Sequence, residues 1–285
     1  MSISSLEKEN LSKLTFSRPR LPLITRDSFA KQYDNFAKAL VRRVKAYLKD
    51  PNAENVHRLR TASRRYLAAS RVLPKTIRRR RKTEKTLARI KKLMRVNATV
   101  RDSDIVLSKL STYKKSPTYE HLMEGLRKRR RSNLEEAKKL AVSIQDSPRF
   151  RPRARDLSDS LLQRRYDKVV AKLASKITNE LPLVREDSSK VDELHVVRRD
   201  CKQLRYTLEM SEFSTLPKPL VALRSWQDLL GTIRDHDVMI EYLRQSGESP
   251  DIRLALNREV EDRRNIYLKF VEVSRDNPVS RLAKT

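Results

Sequence analysis

The chain has 285 residues, enough for one large domain or two modest ones, and only 3 of them are glycines. Because helix interiors disfavour glycine while sheets and tight loops often need it, this composition predicts an all-α protein and argues against a β-rich one. The chain has 65 Lys and Arg residues against 36 Asp and Glu, which gives a formal charge of +29. Ion pairing uses equal numbers of positive and negative charges, so it does not explain this excess. A polyanionic partner accounts for it better.

Residues 1–25 contain prolines and show no helical period, so we predict an extended N-terminal arm. Four helices are predicted next, near 27–49, 54–73, 78–112 and 118–144, with an interruption of the third near the sequence RDSD. A linker at 146–155 precedes four more helices, near 156–180, 190–213, 217–245 and 250–273, and residues 276–285 form a tail. Prolines mark the predicted boundaries, including Pro182 in a loop between the first two helices of the second set.

The two sets of helices are similar in sequence. YDNFAKALVRRV begins at Tyr33, YDKVVAKLASKI begins 133 positions later at Tyr166, and RDSDIV at Arg101 recurs as RDHDVM at Arg234 with the same offset. These landmarks keep their order, which predicts an internal duplication. We therefore expect two four-helix bundles related by a pseudo-twofold axis, at 26–145 and 156–275.

The second helix of each predicted unit carries a row of cations. At about 100° per residue, Arg60 and Arg64 share a narrow sector with His57, and Arg198, Lys202 and Arg205 share one with His195. Apolar residues occupy the opposite arc, so each helix presents a basic rung at every turn, roughly 5.4 Å apart. Arginine grips phosphate oxygens with a planar fork and lysine supplies a point charge, so this row suits closely spaced phosphates.

Other basic residues are predicted to extend this patch. The run LRKRRRS contributes Arg127, Arg130 and Arg131, its weaker echo contributes Arg263 and Arg264, and the third helices contribute Arg89, Lys92 and Arg224. Such a run also occurs in nucleic-acid-binding proteins.

The pattern H-x-x-R-x-x-x-[RK], followed by RDxD and repeated once, resembles the CHAD family, the conserved histidine α-helical domain, from about residue 27 to 273. The resemblance implies that basic helices line a shared groove that binds inorganic polyphosphate. The matching positions are His57, Arg60, Arg64 and Arg65, then His195, Arg198, Lys202, Arg205 and Tyr206. It also implies a stand-alone CHAD protein, since no β-rich segment like a fused CYTH domain is present.

Catalysis is not expected. His57, His195 and the RDxD carboxylates lack the spacing of a known metal motif, and surrounding positive charge would repel a metal ion, so no metal or other cofactor is predicted. In each RDxD pair, one aspartate is expected to cap a helix and the other to hold an arginine. His121 and His236 are read as surface or helix-end residues, Gly231 as a site of close helix packing, and Trp226 as core.

Two alternatives to polyphosphate remain open at this stage. One is a DNA- or RNA-binding protein that uses the same basic surface, and secondary nucleic-acid binding at low salt is expected in any case. The other is a scaffold that docks acidic proteins. Cys201 is the sole cysteine, no apolar run is long enough to cross a membrane, and the N-terminus lacks a secretory signal, so we expect a cytoplasmic protein without a membrane partner, associated with polyphosphate granules if that ligand is correct.

Overall fold

The computed structural model of the protein describes residues 21–145, 152–211 and 217–284, and within these ranges it contains helices and no strands. The helices are α1 (Arg26–Lys49), α2 (Ala53–Val72), α3 (Lys75–Arg78), α4 (Arg81–Leu110), α5 (Pro117–Gln145), α6 (Asp159–Glu186), α7 (Val191–Leu208), α8 (Pro217–Arg244) and α9 (Pro250–Val273). Two 3₁₀ segments lie at Ala154–Asp156 and Pro278–Lys284. The predicted all-α class is confirmed.

Local sequence sets where these helices begin. Thr25 and Ser28 form a capping box at the start of α1, Asn52 accepts a hydrogen bond from the Asn55 amide at the start of α2, and Ser249 caps α9. Each of these side chains satisfies a backbone N–H that the first helical turn leaves without a partner. The helix boundaries therefore follow the sequence closely at these ends.

Two predicted boundaries are wrong. α4 runs without a break through the RDSD sequence, because the Asp104 side chain bonds to Arg130 instead of competing for the helix backbone. Pro182 lies inside α6 rather than in a loop. Its neighbours Leu181 and Val184 are fully buried, and their packing outweighs the single backbone hydrogen bond that proline cannot make.

The predicted arm and tail both reach the core where the structure describes them. Residues 1–20 lie outside the described residues, but Ile24 is fully buried and its amide donates to Gln163 in α6. Val279 and Leu282 of the C-terminal 3₁₀ segment are also fully buried, and this segment packs on α6 and α8. Of the predicted linker, 146–151 lie outside the described residues, while Ala154–Asp156 contacts α1.

The two halves of the chain pack on each other through matching helices. α2 contacts α7, α4 contacts α8, and α5 contacts α9, and each of the two apolar cores takes side chains from both halves. Some contacts recur: the hydroxyl of Tyr33 bonds to Ser70, and that of Tyr166 bonds to Ser211. The duplication and its pseudo-twofold axis remain predictions, and this pairing of helices is the arrangement they would produce.

Candidate anion-binding groove

A cavity of about 580 Å³ lies where α2, α4, α7 and α8 meet. Its cationic and imidazole side chains are His57, Arg60, Arg64, Arg101, His195, Arg198, Arg199, Lys202 and Arg234. Three carboxylates also line it, those of Asp102, Asp228 and Asp235. The cavity therefore carries a large excess of positive charge.

A smaller cavity of about 170 Å³ continues along α2 and α7. Arg64, Arg198, Arg199 and Lys202 line both cavities, and the smaller one adds Arg71 and Tyr206. The two spaces together are called the groove below. Along α2 it extends from His57 to Arg71, which at the rise of an α-helix is roughly 21 Å.

The sequence predicted the floor of this groove correctly. Val56 and Leu59 of α2, and Val197, Cys201 and Leu204 of α7, are buried in the apolar core. The opposite faces of both helices carry six predicted residues into the larger cavity. These are His57, Arg60, Arg64, His195, Arg198 and Lys202.

Crowding of like charges affects the groove arginines. Burial and the neighbouring Arg64 lower the pKa of Arg60 to about 9 and that of Arg198 to about 10, so both guanidinium groups remain charged at neutral pH. Arg60 donates to the Met94 carbonyl at 2.9 Å. The buried Nε of Arg198 has no hydrogen-bond partner among the described residues. An anion in the groove would relieve this repulsion and supply the missing acceptor.

Lys202 titrates near neutrality. Burial, and then Arg198 and Arg64, lower the pKa of its ammonium group to about 7. Burial also lowers the pKa of His57, as do Arg101 and Arg64. In the free groove the ammonium group of Lys202 therefore loses its proton more readily than that of an exposed lysine, and an anion bound beside it would draw the proton back.

We predict that anion binding weakens as pH rises from 7 to 9. The free Lys202 has a pKa of about 7 and the anion-bound form a higher one, so binding takes up a proton within this range. Below pH 7 this lysine is already charged and contributes no further slope. Titration calorimetry in buffers of different ionisation enthalpy measures the uptake at pH 8, and Lys202→Arg is the matched control, expected to abolish it. Equal proton uptake in both proteins would contradict the assignment.

The two RDxD sequences contribute their arginines to the groove, and their aspartates do not cap helices. Arg101 and Arg234, which sequence reasoning did not select, both line the groove, and Arg234 lies 3.7 Å from Asp102 of the other half. None of the aspartates begins a helix, because α4 and α8 run through both sequences. The expectation that one aspartate in each pair holds an arginine is correct for Asp104 and Asp237.

Arg130 and Arg263, predicted to bind phosphate, are these held arginines. Arg130 Nε donates to Asp104 at 2.6 Å and its Nη2 donates to the Pro51 carbonyl, while Arg263 bonds in the same way to Asp237 and the Ser188 carbonyl. Neither lines the groove. Each joins helices within its half, so the prediction of ligand contact is corrected to an anchoring role.

His195 is held from behind by one of these anchors. Its Nε2 lies 3.0 Å from Asp237, which also receives Arg263. Burial alone would raise the pKa of Asp237, but hydrogen bonds from His195 and Arg263 outweigh it and lower the pKa. The imidazole is thereby oriented along the wall of the groove.

Arg65, Arg205 and Tyr206 form a clamp at the boundary between the halves. Both arginines bond to the largely buried carboxylate of Glu209, at 2.8 Å and 3.0 Å, and both stack on the Tyr206 ring. Arg205 also donates to Gln227. Of the three, Tyr206 alone lines the groove, in its smaller cavity, whereas Arg65 and Arg205 act as a clamp on Glu209.

The remaining predicted cations lie outside the groove. They are Arg89, Lys92, Arg127, Arg131, Arg224 and Arg264, all of them exposed. Arg89 donates to the Ser143 carbonyl and Lys92 lies 3.9 Å from Glu136, both on α5. The structure does not bring these six side chains to the groove.

His236 and Gly231 also differ from their predicted places. His236 is buried, with Nδ1 2.6 Å from Glu259, which also bonds Lys109 and Tyr113. Burial alone would raise the pKa of Glu259, but these contacts lower it to about 2. A Cβ at Gly231 would meet open space, because this residue lines the groove instead of a tight helix contact. Trp226 is core, as predicted.

Metal-binding clusters and membrane-spanning helices are both absent from the described part of the chain. It holds no group of three or more His, Cys, Asp and Glu side chains suited to a metal ion. Among its helices there is none with the length and apolar character needed to traverse a membrane.

The fold and the groove define a class of protein, a helical body whose two halves enclose a cluster of cations. The chain belongs to the CHAD domain family, whose sequence profile matches residues 31–244. No curated protein matches it.

Two solved structures share the fold. The CHAD domain from the plant Ricinus communis has a TM-score of 0.55 and 16% sequence identity, over 92% of this chain and 91% of its own. PptA from Streptomyces chartreusis has a TM-score of 0.58 and 16% identity, over 88% of this chain and 97% of its own. At this identity the likeness concerns the fold alone.

Proposed function

We propose that the protein binds inorganic polyphosphate in the groove between α2 and α7 and does not catalyse a reaction on it. The observation that carries this proposal is the charge of the larger cavity, where nine cationic or imidazole side chains from four helices face three carboxylates. A cluster of that kind is unfavourable when empty, because its charges repel and lose hydration. It becomes favourable when a ligand supplies many negative charges.

The shape of the groove favours a linear chain of phosphates. Its cations repeat at each helical turn of α2 and α7, about 5.4 Å apart, over a length of roughly 21 Å. Arginine predominates, and its donors match the oxygens of phosphate in pairs. The proposal includes the cytoplasmic location and the association with polyphosphate granules expected from the sequence.

A nucleic acid would need additional contacts. Sequence-tolerant binding of single strands uses exposed aromatic rings on which bases stack. Tyr206 is the one aromatic side chain that lines the groove in the described residues, and Arg65 and Arg205 already stack on it. Nucleic acid would therefore meet charge without stacking, which predicts weak binding confined to low salt.

A competition experiment at about 0.3 M salt tests the proposal, because non-specific contacts to nucleic acid are largely screened there. Labelled polyphosphate is bound first and then challenged with equal phosphate equivalents of unlabelled polyphosphate, duplex DNA and single-stranded RNA. We expect displacement by polyphosphate alone. Equal competition by DNA or RNA would make the protein a general polyanion binder and overturn the proposed preference.

A further inference from the structure

A second basic cavity lies beside the groove, between α1 and α2. It has a volume of about 400 Å³, and we call it the α1–α2 pocket. Its basic lining consists of Arg42, Arg43, His57, Arg58 and Arg65. The described residues place no carboxylate in this lining, whereas Asn35 and Thr61 add polar groups.

The pocket and the groove meet at His57, which lines both spaces. At about 100° per residue along α2, Arg60 and Arg64 lie on one side of His57, and Thr61 and Arg65 lie on the other. The basic residues of α2 therefore occupy two adjacent faces of the helix, and His57 lies between these faces. A flexible chain of phosphates that leaves the groove at this end passes His57 to reach the pocket, and the carboxylate nearest this passage, that of Glu54, is paired with Arg58.

Two arginines in the pocket are available for a ligand. Arg58 pairs with Glu54, and Arg65 is held by Glu209. Arg42 and Arg43 make no ion pair and no side-chain hydrogen bond with any part of the chain that the structure describes. Arg42 is exposed and Arg43 is half-buried, so both reach solvent from the wall of the pocket.

The equivalent surface of the second half carries its charges at other positions. With the 133-position offset between the first helices of the two halves, Ser175 replaces Arg42 and Lys176 replaces Arg43, so the pair of guanidinium groups is not repeated. Lys168 and Lys172 stand instead at the positions of the uncharged Asn35 and Ala39. The two halves therefore differ in the kind and placement of their cations, and the arginine pair belongs to the first half.

We infer that the α1–α2 pocket is a second phosphate-binding subsite, which receives the continuation of a polyphosphate chain that leaves the groove past His57. The inference rests on the proposed function of the groove. A short chain occupies the groove alone, whereas a long chain occupies both spaces, and contacts made by one tethered ligand reinforce each other. The pocket thus makes the protein selective for long chains.

The test compares tripolyphosphate with long-chain polyphosphate as probes. The pocket variant is Arg42→Glu with Arg43→Glu, accompanied by Arg42→Ala with Arg43→Ala in case charge reversal disturbs α1. The matched control is Arg253→Glu with Arg275→Glu, two exposed arginines that line neither space and carry the same change of charge. The groove variant is Arg60→Glu with Arg198→Glu. Titration calorimetry gives each affinity, and circular dichroism confirms the fold.

We expect the pocket variant to bind long chains about tenfold more weakly than the control does, and to bind tripolyphosphate equally well. Long-chain affinity equal to that of the control would overturn the inference while leaving the proposed function in place. An equal loss for both probes would also overturn it, because the pocket would then be part of one undivided site. Unimpaired binding of both probes by the folded groove variant would instead remove the proposed function.

Discussion

Reversing the charge of Arg60 and Arg198 together is expected to lower polyphosphate affinity by at least about 100-fold, with helicity unchanged. Both side chains line the larger cavity from opposite halves of the molecule, and Arg64 is a close charged neighbour of both. Hydrogen bonds to charged groups contribute about 1.5–3 kcal/mol each, and reversal adds repulsion to their loss. Competition with labelled polyphosphate measures the change, and circular dichroism reports the helix content.

Two comparison variants make this result specific. Arg253→Glu with Arg275→Glu alters the net charge equally outside the groove and is expected to change affinity by less than about threefold, through long-range electrostatics. Arg127→Glu with Arg264→Glu tests the exposed cations that the sequence, but not the structure, placed in the site. If all three double variants lose affinity to the same extent, net charge governs binding and the groove does not. Arg198→Gln is a milder groove variant, because it removes the positive guanidinium group without introducing a negative charge.

The basic faces of α2 and α7 were predictable because the pattern that indicates them lies within each helix. The periods of α2 and α7 place apolar and basic residues on opposite faces within a single helix, and no knowledge of other helices is needed. This pattern was enough to predict six residues that line one cavity in the structure. It failed for Arg205, whose sector is correct but whose guanidinium bonds to Glu209 one helical turn further along the chain. Glu209 also holds Arg65 of the other half, a residue named from the family resemblance and not from the helical period.

The rest of the site depends on contacts that are distant in sequence. Arg101 and Arg234 enter the groove because α4 packs against α8, and the recurrence of RDxD was the signal that could have indicated them. His236 is buried because Glu259 and Lys109 converge on it from two other helices. The period of a single helix cannot reveal such contacts, because Glu259 and Lys109, for example, are 150 positions apart in the sequence.

The boundary errors have the same origin. A proline is a boundary signal only where local preference decides, and at Pro182 the tertiary packing of Leu181 and Val184 decides instead. An aspartate competes with the helix backbone only when its side chain lacks a better partner. Arg130 provides Asp104 with that partner from 26 positions away, so α4 continues.

The same contact predicts a large loss of stability. Asp104→Ala is expected to lower the free energy of unfolding by about 3 kcal/mol, because it leaves the largely buried guanidinium of Arg130 without its carboxylate. Asp102→Ala, two positions away in the same helix, is the matched control. Its carboxylate is more exposed and lies 3.7 Å from Arg234, and we expect a change of less than about 1 kcal/mol. Urea unfolding monitored by circular dichroism measures both.

A double variant separates the ion pair from simple loss of packing. If Arg130 destabilises the Asp104→Ala protein because its charge is uncompensated, then Asp104→Ala with Arg130→Ala will be less destabilised than the sum of the two single variants. Strict additivity, or an Asp102→Ala protein as unstable as Asp104→Ala, would show that the pair does not anchor α5 to α4. The recurrence of the contact at Asp237 and Arg263 extends the argument, since there the anchored carboxylate also holds His195 at the wall of the groove. Asp237→Ala should therefore weaken polyphosphate binding as well as stability, whereas Asp104→Ala should affect stability alone.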